Sequence, residues 1–529
     1  MSEASDMSDE RAPRPSRRAP QLRVRALGDA LAPNELARIG TEELIAFLAP
    51  KRWFGAKAGK PTTVRVRDAI PLPWESGRFA IARIEVATEG STEPKTYQVP
   101  LCVRSVDEIG DRAPKSVLAR VATDEEDGFI FDAVEDSAFL RALADAVGRG
   151  GSYGAGASRW VIETFSAAPL IVPANTEIRV GSAEQSNTSV ILGEQGILKL
   201  FRKLEPGPNP DVELTRYLTI DAKFPYTPSL LGVVRFEDGD TLTIGGMLQE
   251  FLPKSADAWS YALERARPYF QAPKERDVPN TFLADAERLG VVTRGLHEAL
   301  AAGTGADLAP EPADATRVDQ WAGRARQWVR DGLALLERQL GARKLPKERA
   351  PEAEALVKRA DRYFGVVEEI VNSIRGDAGL AIRVHGDYHL GQVLRTARDD
   401  FMIIDFEGEP ARALAERREK TSPLRDVAGM LRSFAYAAAT LGMEAKSLDL
   451  GTRELRVGRW ERDTREAFMR GYLASTNRES RILPSDPAHT RALLRLFETE
   501  KAFYELAYEL NNRPDWTWIP MRGIAKLLA

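Results

Sequence analysis

The run Val384-His385-Gly386-Asp387-Tyr388-His389-Leu390-Gly391-Gln392, closed by Ile403-Ile404-Asp405-Phe406-Glu407, sets two carboxylates and an amide at spacings suited to phosphoryl transfer. Moving a γ-phosphoryl group demands positioning and charge neutralisation, so a protein supplies carboxylates and a metal rather than a covalent nucleophile. Asp387 can orient the attacking hydroxyl, Gln392 can offer an amide oxygen to Mg²⁺, and Asp405 can place a carboxylate on the same ion. Phe401-Met402-Ile403-Ile404 is an apolar run of strand length after the turn Arg398-Asp399-Asp400, which puts Asp405 at a strand end. A lone Asp there is ordinarily a turn residue; the three in order point to a metal-dependent site. His385 and His389 are expected to brace the loop, since a His-x₃-His metal site lacks a third soft ligand nearby.

The spacing Asp-x₄-Gln echoes the protein-kinase catalytic loop Asp-x₄-Asn, and Asp-Phe-Glu stands where Asp-Phe-Gly would be. Such a loop needs a nucleotide-holding sheet, and residues 158–253 read as one. Ser189–Leu192 and Ile197–Phe201 form two short strands joined by Gly193-Glu194-Gln195-Gly196. Lys199, mid-strand between Leu198 and Leu200, suits an ammonium that contacts α- and β-phosphates. Asn209 as N-cap and Pro210 in the first turn open a helix on which Glu213 is expected to pair with Lys199. No Gly-x-Gly-x-x-Gly precedes the lysine strand; Glu184-Gln185-Ser186-Asn187-Thr188-Ser189 stands there. Ser186, Asn187 and Thr188 are the candidate phosphate donors. After the hairpin Leu231–Phe236 and Thr241–Leu248, Gln249 and Glu250 fall at the hinge under the adenine.

The chain has 529 residues, too many for one core. Hydrophobic content of 43% with 29% charged residues reads as an ordinary globular protein. A net charge of −4 gives no basic surplus for nucleic acid. Cys102, the single cysteine, excludes an internal disulfide and reads as a small buried hydrophobe. No run reaches the length of a membrane span and no apolar signal core opens the chain, so a cytoplasmic location is expected. Residues 1–25, rich in Ser, Pro and Arg, read as a disordered tail. Residues 30–147 form a cap-like module: Thr41 is a plausible N-cap, strands are expected at Thr63–Val66, Phe79–Val86 and Tyr97–Val103, and Phe131 to Val147 reads as an amphipathic helix. Arg52-Trp53-Phe54 reads as a packing anchor. The glycines from Gly148 to Gly156 read as an inter-lobe linker.

Residues 254–529 are mostly helical by period, with helices expected over 321–340, 351–374 and about 490 to 511. Ser422-Pro423 opens another, where Asp426 suits the helix dipole. On the closing helix Glu500, Tyr504 and Tyr508 share one face, an arrangement of rings and carboxylate that fits either a sugar or a half-buried helix face.

Taken together, Arg52-Trp53-Phe54, the run from Glu184 to Arg202, Asn209-Pro210-Asp211, the catalytic loop, Asp405-Phe406-Glu407-Gly408-Glu409-Pro410, Ser422 to Met430 and Glu500-Lys501 to Trp516 resemble the maltokinases. These ATP-dependent enzymes make maltose 1-phosphate and are related in fold to aminoglycoside phosphotransferases and eukaryotic-type kinases. The resemblance implies an α+β, bilobal protein-kinase-like fold with an N-terminal cap module, a β-rich nucleotide lobe and a mostly helical C-lobe. It implies Asp387 as catalytic base, Gln392 and Asp405 as Mg²⁺ ligands with Glu407 close to metal or sugar, Lys199 on the phosphates, and Glu213 beside it. Glu409, Lys501, Tyr504 and Tyr508 would contact maltose. A trehalose synthase is the implied partner. A kinase for another sugar such as glucosamine, or a catalytically silent kinase-like scaffold, remain the alternatives.

Overall fold

Alternating apolar residues along the first half and a 3.6-residue period along the second divide the chain into a β-rich and a helical part, as the two solvents of each element dictate. The computed structural model describes residues 19–527 except 55–58, 92, 111–113, 156–157, 166–169, 182–185, 274–275, 277, 411 and 475–479. The chain falls into two compact units, one running to Val212 with Ser229–Phe251 added, the other made of Glu213–Pro228 and Leu252 onward.

In the first unit, one sheet runs in the order Gln21–Arg23, Val117–Ala122, Asp127–Asp132, Lys95–Ser105, Phe79–Thr88, Pro61–Leu72. Gln21–Arg23 pairs parallel with Val117–Ala122, so part of the stretch expected as tail is sheet; residues 1–18 lie outside the described residues. Thr41 does not cap its helix: Gly40 holds that position, and the Thr41 hydroxyl donates to the Val64 carbonyl at 2.9 Å. The helix expected from Phe131 is Ser137–Arg149, because Asp127–Asp132 is a strand and Asp136 caps the helix through the Phe139 N–H.

The second sheet is antiparallel, in the order Gly151–Ala155, Ser158–Thr164, Leu230–Asp238, Thr241–Gln249, Gly196–Phe201, Asn187–Leu192, Ile178–Val180. Of the glycines read as a linker, Gly148 lies in the helix Ser137–Arg149 and Gly150 caps it, Gly151 and Gly154 are in the edge strand, and Gly156 lies outside the described residues. Phe139 and Leu143 of the cap helix share one buried apolar cluster with Leu198 and Leu200, which lies on their face of the sheet. Gln98, fully buried, staples the two sheets: its Nε2 donates to the carbonyls of Gly245 at 2.8 Å and Phe201 at 3.2 Å, and its Oε1 accepts from Trp160 at 3.2 Å. Cys102 is buried, and burial pushes its thiol well above the ordinary range.

The second unit is built on the long helices Leu283–Ala301, Ala315–Gly341, Leu424–Glu444, Leu450–Leu473 and Pro487–Asn512. Residues 351–374, expected as one helix, are Ala350–Val357 and Ala360–Ile374. Helices Leu283–Ala301 and Leu450–Leu473 touch almost backbone to backbone, since a Cβ on Gly290 would lie 2.1 Å from the Phe468 carbonyl oxygen. A small sheet, Ala256–Asp257, Val393–Arg395 and Phe401–Ile403, carries the catalytic segments. No described helix is long and apolar enough to cross a membrane.

Asp377 secures the start of the closing helix, accepting from the N–H groups of Ser485 and Asp486 at 3.0 Å each and from the Ser485 hydroxyl at 2.8 Å. Burial alone would raise its carboxyl, but these donors bring it down to about 2. A carboxyl depressed on folding stabilises above its unfolded value and loses that contribution as pH falls towards the folded one. Asp377→Ala is expected to lower stability by about 1–2 kcal/mol at neutral pH. As the pH falls from about 4 to about 2 the difference from wild type should shrink, measured by thermal unfolding across pH. A constant difference down to that pH would remove the charge from the account.

Candidate active site

The loop that carries Asp387 is held from behind by one buried carboxylate. Asp426, in the first turn of helix Leu424–Glu444, accepts from the His385 N–H at 2.8 Å, the Gly386 N–H at 2.9 Å and His297 Nε2 at 3.2 Å. Burial pushes this carboxyl up, but the bonds and charge of the histidines and the Gly386 N–H outweigh it, so it stays below its ordinary value. Gly429 lets the same helix close on the loop: a Cβ there would sit 2.5 Å from the Tyr388 carbonyl oxygen. The Tyr388 hydroxyl pairs with Thr293 at 2.8 Å, and the Leu390 N–H donates to Ser433 at 3.1 Å.

Both histidines brace the loop. His385 Nε2 donates to the Ile404 carbonyl at 2.9 Å, leaving Nδ1 to accept the Asp387 N–H at 3.4 Å. His389 Nδ1 accepts from the Gly391 N–H at 3.0 Å. Burial, with Lys501 opposing Asp387, holds the His389 imidazole below its ordinary value.

The Ile404 N–H donates to the Gln392 carbonyl at 3.0 Å, so Gln392 lies against the residue preceding Asp405. Asp405 has φ of 68°, a left-handed conformation that a non-glycine adopts at a cost. Phe406 is buried beside the His385 ring, and the carboxylate oxygens of Asp405 and Glu407 come within 4.8 Å of each other. Two carboxylates with an amide-bearing residue alongside form a hard-oxygen donor set that fits Mg²⁺.

Asp387 opens into a recess of about 390 Å³ lined also by Glu409, Arg412, Arg425, Glu500, Lys501 and Tyr504. Lys501 Nζ lies 3.6 Å from Asp387 and 3.9 Å from Glu409, over the Tyr504 ring. Burial works against the Lys501 ammonium, yet the two carboxylates hold its pKa above the ordinary value. Glu409 takes Arg412 at 2.6 Å; burial would raise its carboxyl, but Lys501, Arg412 and Arg425 pull it down. Glu500 receives Arg425 at 3.0 Å and Arg412 at 3.2 Å through one oxygen, while its buried Oε2 has no partner. Trp328 packs edge-on against Tyr504 at 5.0 Å. Tyr508, one turn further, is 44% exposed, does not line the recess, and lies under the Arg513 guanidinium.

In the first unit, Lys199 Nζ bonds Asp211 Oδ2 at 3.0 Å. The helix begins as expected, with Asn209 Oδ1 accepting the Asp211 N–H at 2.9 Å. The acid on Lys199 is thus Asp211, whereas Glu213, two residues on and so on another helix face, is taken by Arg418 at 2.7 Å and Arg383 at 2.9 Å in the second unit. Burial would raise the Glu213 carboxyl; the two arginines hold it down.

The strand register sorts the phosphate-donor candidates. Ser189 stands opposite Lys199 and shares its face, while Thr188 stands opposite Leu200 on the core-facing side. The Thr188 hydroxyl accepts from Arg202 Nε at 2.8 Å, so it is turned away from Lys199, contrary to expectation. Asn187 starts the strand on the Lys199 side and Ser186 is exposed just before it. Gln185 and Glu184 lie outside the described residues. Gln249 ends its strand opposite Ile197, and Glu250 accepts from the Ser229 hydroxyl at 3.0 Å.

The recess brings together Asp387, Glu409, Lys501 and Tyr504, which the sequence links only through the family resemblance; Arg412 and Trp328 are not singled out there, and Arg425 appears only within the Ser422–Met430 run. Glu500 was read as part of a helix face, and Asp426 as a helix-dipole residue.

The model of the maltokinase N-terminal cap domain matches residues 47–136. A glucosamine kinase from Streptacidiphilus jiangxiensis is 25% identical over 371 residues, 70% of this chain and 76% of that protein. Another, from Mycolicibacterium smegmatis, is 28% identical over 352 residues, 66% and 78%. The solved structure of a glucosamine kinase in complex with glucosamine, ADP and inorganic phosphate superposes with a TM-score of 0.65 at 21% identity, covering 93% of this chain and 98% of that one. At that identity the likeness is one of fold: an α+β kinase-like fold with a helical C-terminal part.

Proposed function

We propose that this chain, a maltokinase-like kinase by its cap module and its fold, transfers the γ-phosphoryl group of ATP to the anomeric hydroxyl of maltose. The products are maltose 1-phosphate and ADP. The main support is the convergence of Asp387, Glu409, Lys501 and Tyr504 on one recess. Asp387 takes the proton of the anomeric hydroxyl as its oxygen bonds to Pγ and the bond from Pγ to the β-phosphate oxygen breaks. Lys501, 3.6 Å away, orients the acceptor. Tyr504 offers its ring and hydroxyl to a pyranose, and Glu409 accepts a sugar hydroxyl. Lys199 holds phosphates, with Ser186 and Asn187 as donors and Gln249 and Glu250 beside the adenine. Gln392, Asp405 and Glu407 would hold Mg²⁺, which neutralises phosphate charge when bound. The product would feed α-glucan synthesis, with maltose coming from a trehalose synthase.

Glucosamine is the second reading, favoured by the two relatives. In the recess Asp387, Glu409 and Glu500 are each already paired with Lys501, Arg412 or Arg425, and Asp426 with the loop N–H groups, which supports a neutral sugar; the unpartnered Glu500 Oε2 is an acceptor that an ammonium group could take. With Mg²⁺-ATP and both sugars in one assay, maltose is expected to be phosphorylated with at least about tenfold higher kcat/KM, a difference of only about 1.4 kcal/mol. Preference for glucosamine would replace the substrate, and no ATP consumption with either would end the kinase reading.

A further inference from the structure

On the face of the first unit away from Lys199, an open cleft of about 2490 Å³, mouth included, lies between the cap sheet and the nucleotide sheet. Its floor is Arg202, which follows strand Gly196–Phe201 on the face of Leu198 and Leu200 and is 1% exposed. The Arg202 carbonyl accepts the Gln98 N–H at 2.7 Å, so this residue sits where the chain leaves one sheet for the other. Its guanidinium gives Nε to Thr188, gives Nη2 to Asp132 at 3.2 Å, and stacks on Trp53 at 4.9 Å. Nη1 is buried with no hydrogen-bond partner among the described residues. An unsatisfied buried guanidinium N–H costs free energy unless something accepts from it.

The other lining groups indicate what the occupant is. Each carboxylate already has a donor. Asp132 has Arg202 and Lys51, and Glu135 has Lys51 at 3.3 Å and the Lys115 N–H at 2.8 Å. Arg104 holds Asp136 at 2.8 Å and Glu75 at 2.7 Å, and Arg78 holds Glu108 at 3.1 Å. What remains is donor capacity: Arg202 Nη1, the buried Ser116 hydroxyl, also without a partner, and the exposed Lys115 ammonium, which has no ion pair among the described residues. Glu135, Lys51 and Asp132 link the Lys115 backbone N–H to Arg202, and Ser116 is the next residue in the chain. Donors without an acceptor, beside carboxylates that already have cationic partners, favour an oxyanion.

We propose that this cleft binds the oxyanion of a small metabolite, a phosphate or carboxylate, between Arg202, Ser116 and Lys115. Arg202 and Thr188 lie on the face away from Lys199, whereas Asn187 at the edge of the cleft belongs to the Lys199 side, so the test is run with the nucleotide site filled. The full chain is first saturated with Mg²⁺ and a non-hydrolysable ATP analogue. It is then titrated calorimetrically with inorganic phosphate, glucose 1-phosphate and citrate, at matched ionic strength. At least one of the three is expected to bind and to raise the thermal transition. Ser116→Ala and Lys115→Ala should together weaken that binding about tenfold or more, without changing the transition of the ligand-free protein. Lys115 is exposed and Ser116 half-buried, so the double variant tests the site while leaving buried Arg202 in place. Which probe binds distinguishes phosphate from carboxylate recognition. Failure of all three to bind, or equal binding by the double variant, would overturn the proposal.

Discussion

Asp387→Asn is expected to lower kcat by about 10²–10⁴-fold while nucleotide affinity stays within a factor of about three. The substitution keeps shape and removes only the capacity to take a proton. The loop should survive it, because its position is fixed from behind: the His385 and Gly386 N–H groups are held by Asp426, and the Leu390 N–H by Ser433. Lys501 would lose its partner at 3.6 Å but keep Glu409 at 3.9 Å, so its ammonium remains compensated. The loss should therefore fall on kcat more than on KM for the sugar. Coupled measurement of ADP release gives the first quantity, and fluorescence titration with a nucleotide analogue gives the second. Turnover within tenfold of wild type would remove Asp387 from proton transfer and leave it a positioning group.

The catalytic loop was legible because its chemistry is local. Asp387, Gln392 and Asp405 are set by short spacings, and the turn between strands Val393–Arg395 and Phe401–Ile403 is marked by charged residues. The strands flanking Lys199 were legible for the same reason. Which face each residue takes was not: a one-residue change in register flips every side chain, and that is why Thr188 points to the core while Ser189 stands opposite Lys199. Helix phase misled in the same way, since Asp211 and Glu213 are both acids in the first turns and pattern alone does not choose between them. The glycines from Gly148 resembled a linker because glycine marks both linkers and edge strands. The short strands Val117–Ala122 and Asp127–Asp132 were missed, being set by pairing with distant segments. The acceptor recess is still less local. Glu409 and Lys501 lie far apart in sequence, and only the closing helix, anchored by Asp377, brings them together. Nothing in single residues distinguishes a neutral sugar from an amine, because the pairing of the recess carboxylates with cations is set only in the fold.

That dependence on distant partners makes Asp426 the residue whose loss should be felt most widely. Asp426→Ala would leave two buried backbone N–H groups and His297 Nε2 without their acceptor, and removing one partner of a buried charged network costs about 3–5 kcal/mol. For the helical unit this corresponds to a fall of about 10 °C in its thermal transition. Asp426→Asn should be milder in stability, since one amide oxygen can still accept, but its NH₂ group would face a backbone N–H and push the loop away. Both variants are expected to lose activity in step with loop displacement, and neither should weaken nucleotide binding through Lys199. The sign with pH follows from the carboxyl being held below its ordinary value: its contribution is complete above the normal carboxylate range and disappears as acid protonates it. The gap between wild type and Asp426→Ala should therefore narrow on acidification. A transition within about 2 °C of wild type at neutral pH, with kcat unchanged, would mean that Ser433, Thr293 and the Ile404 carbonyl hold the loop without Asp426.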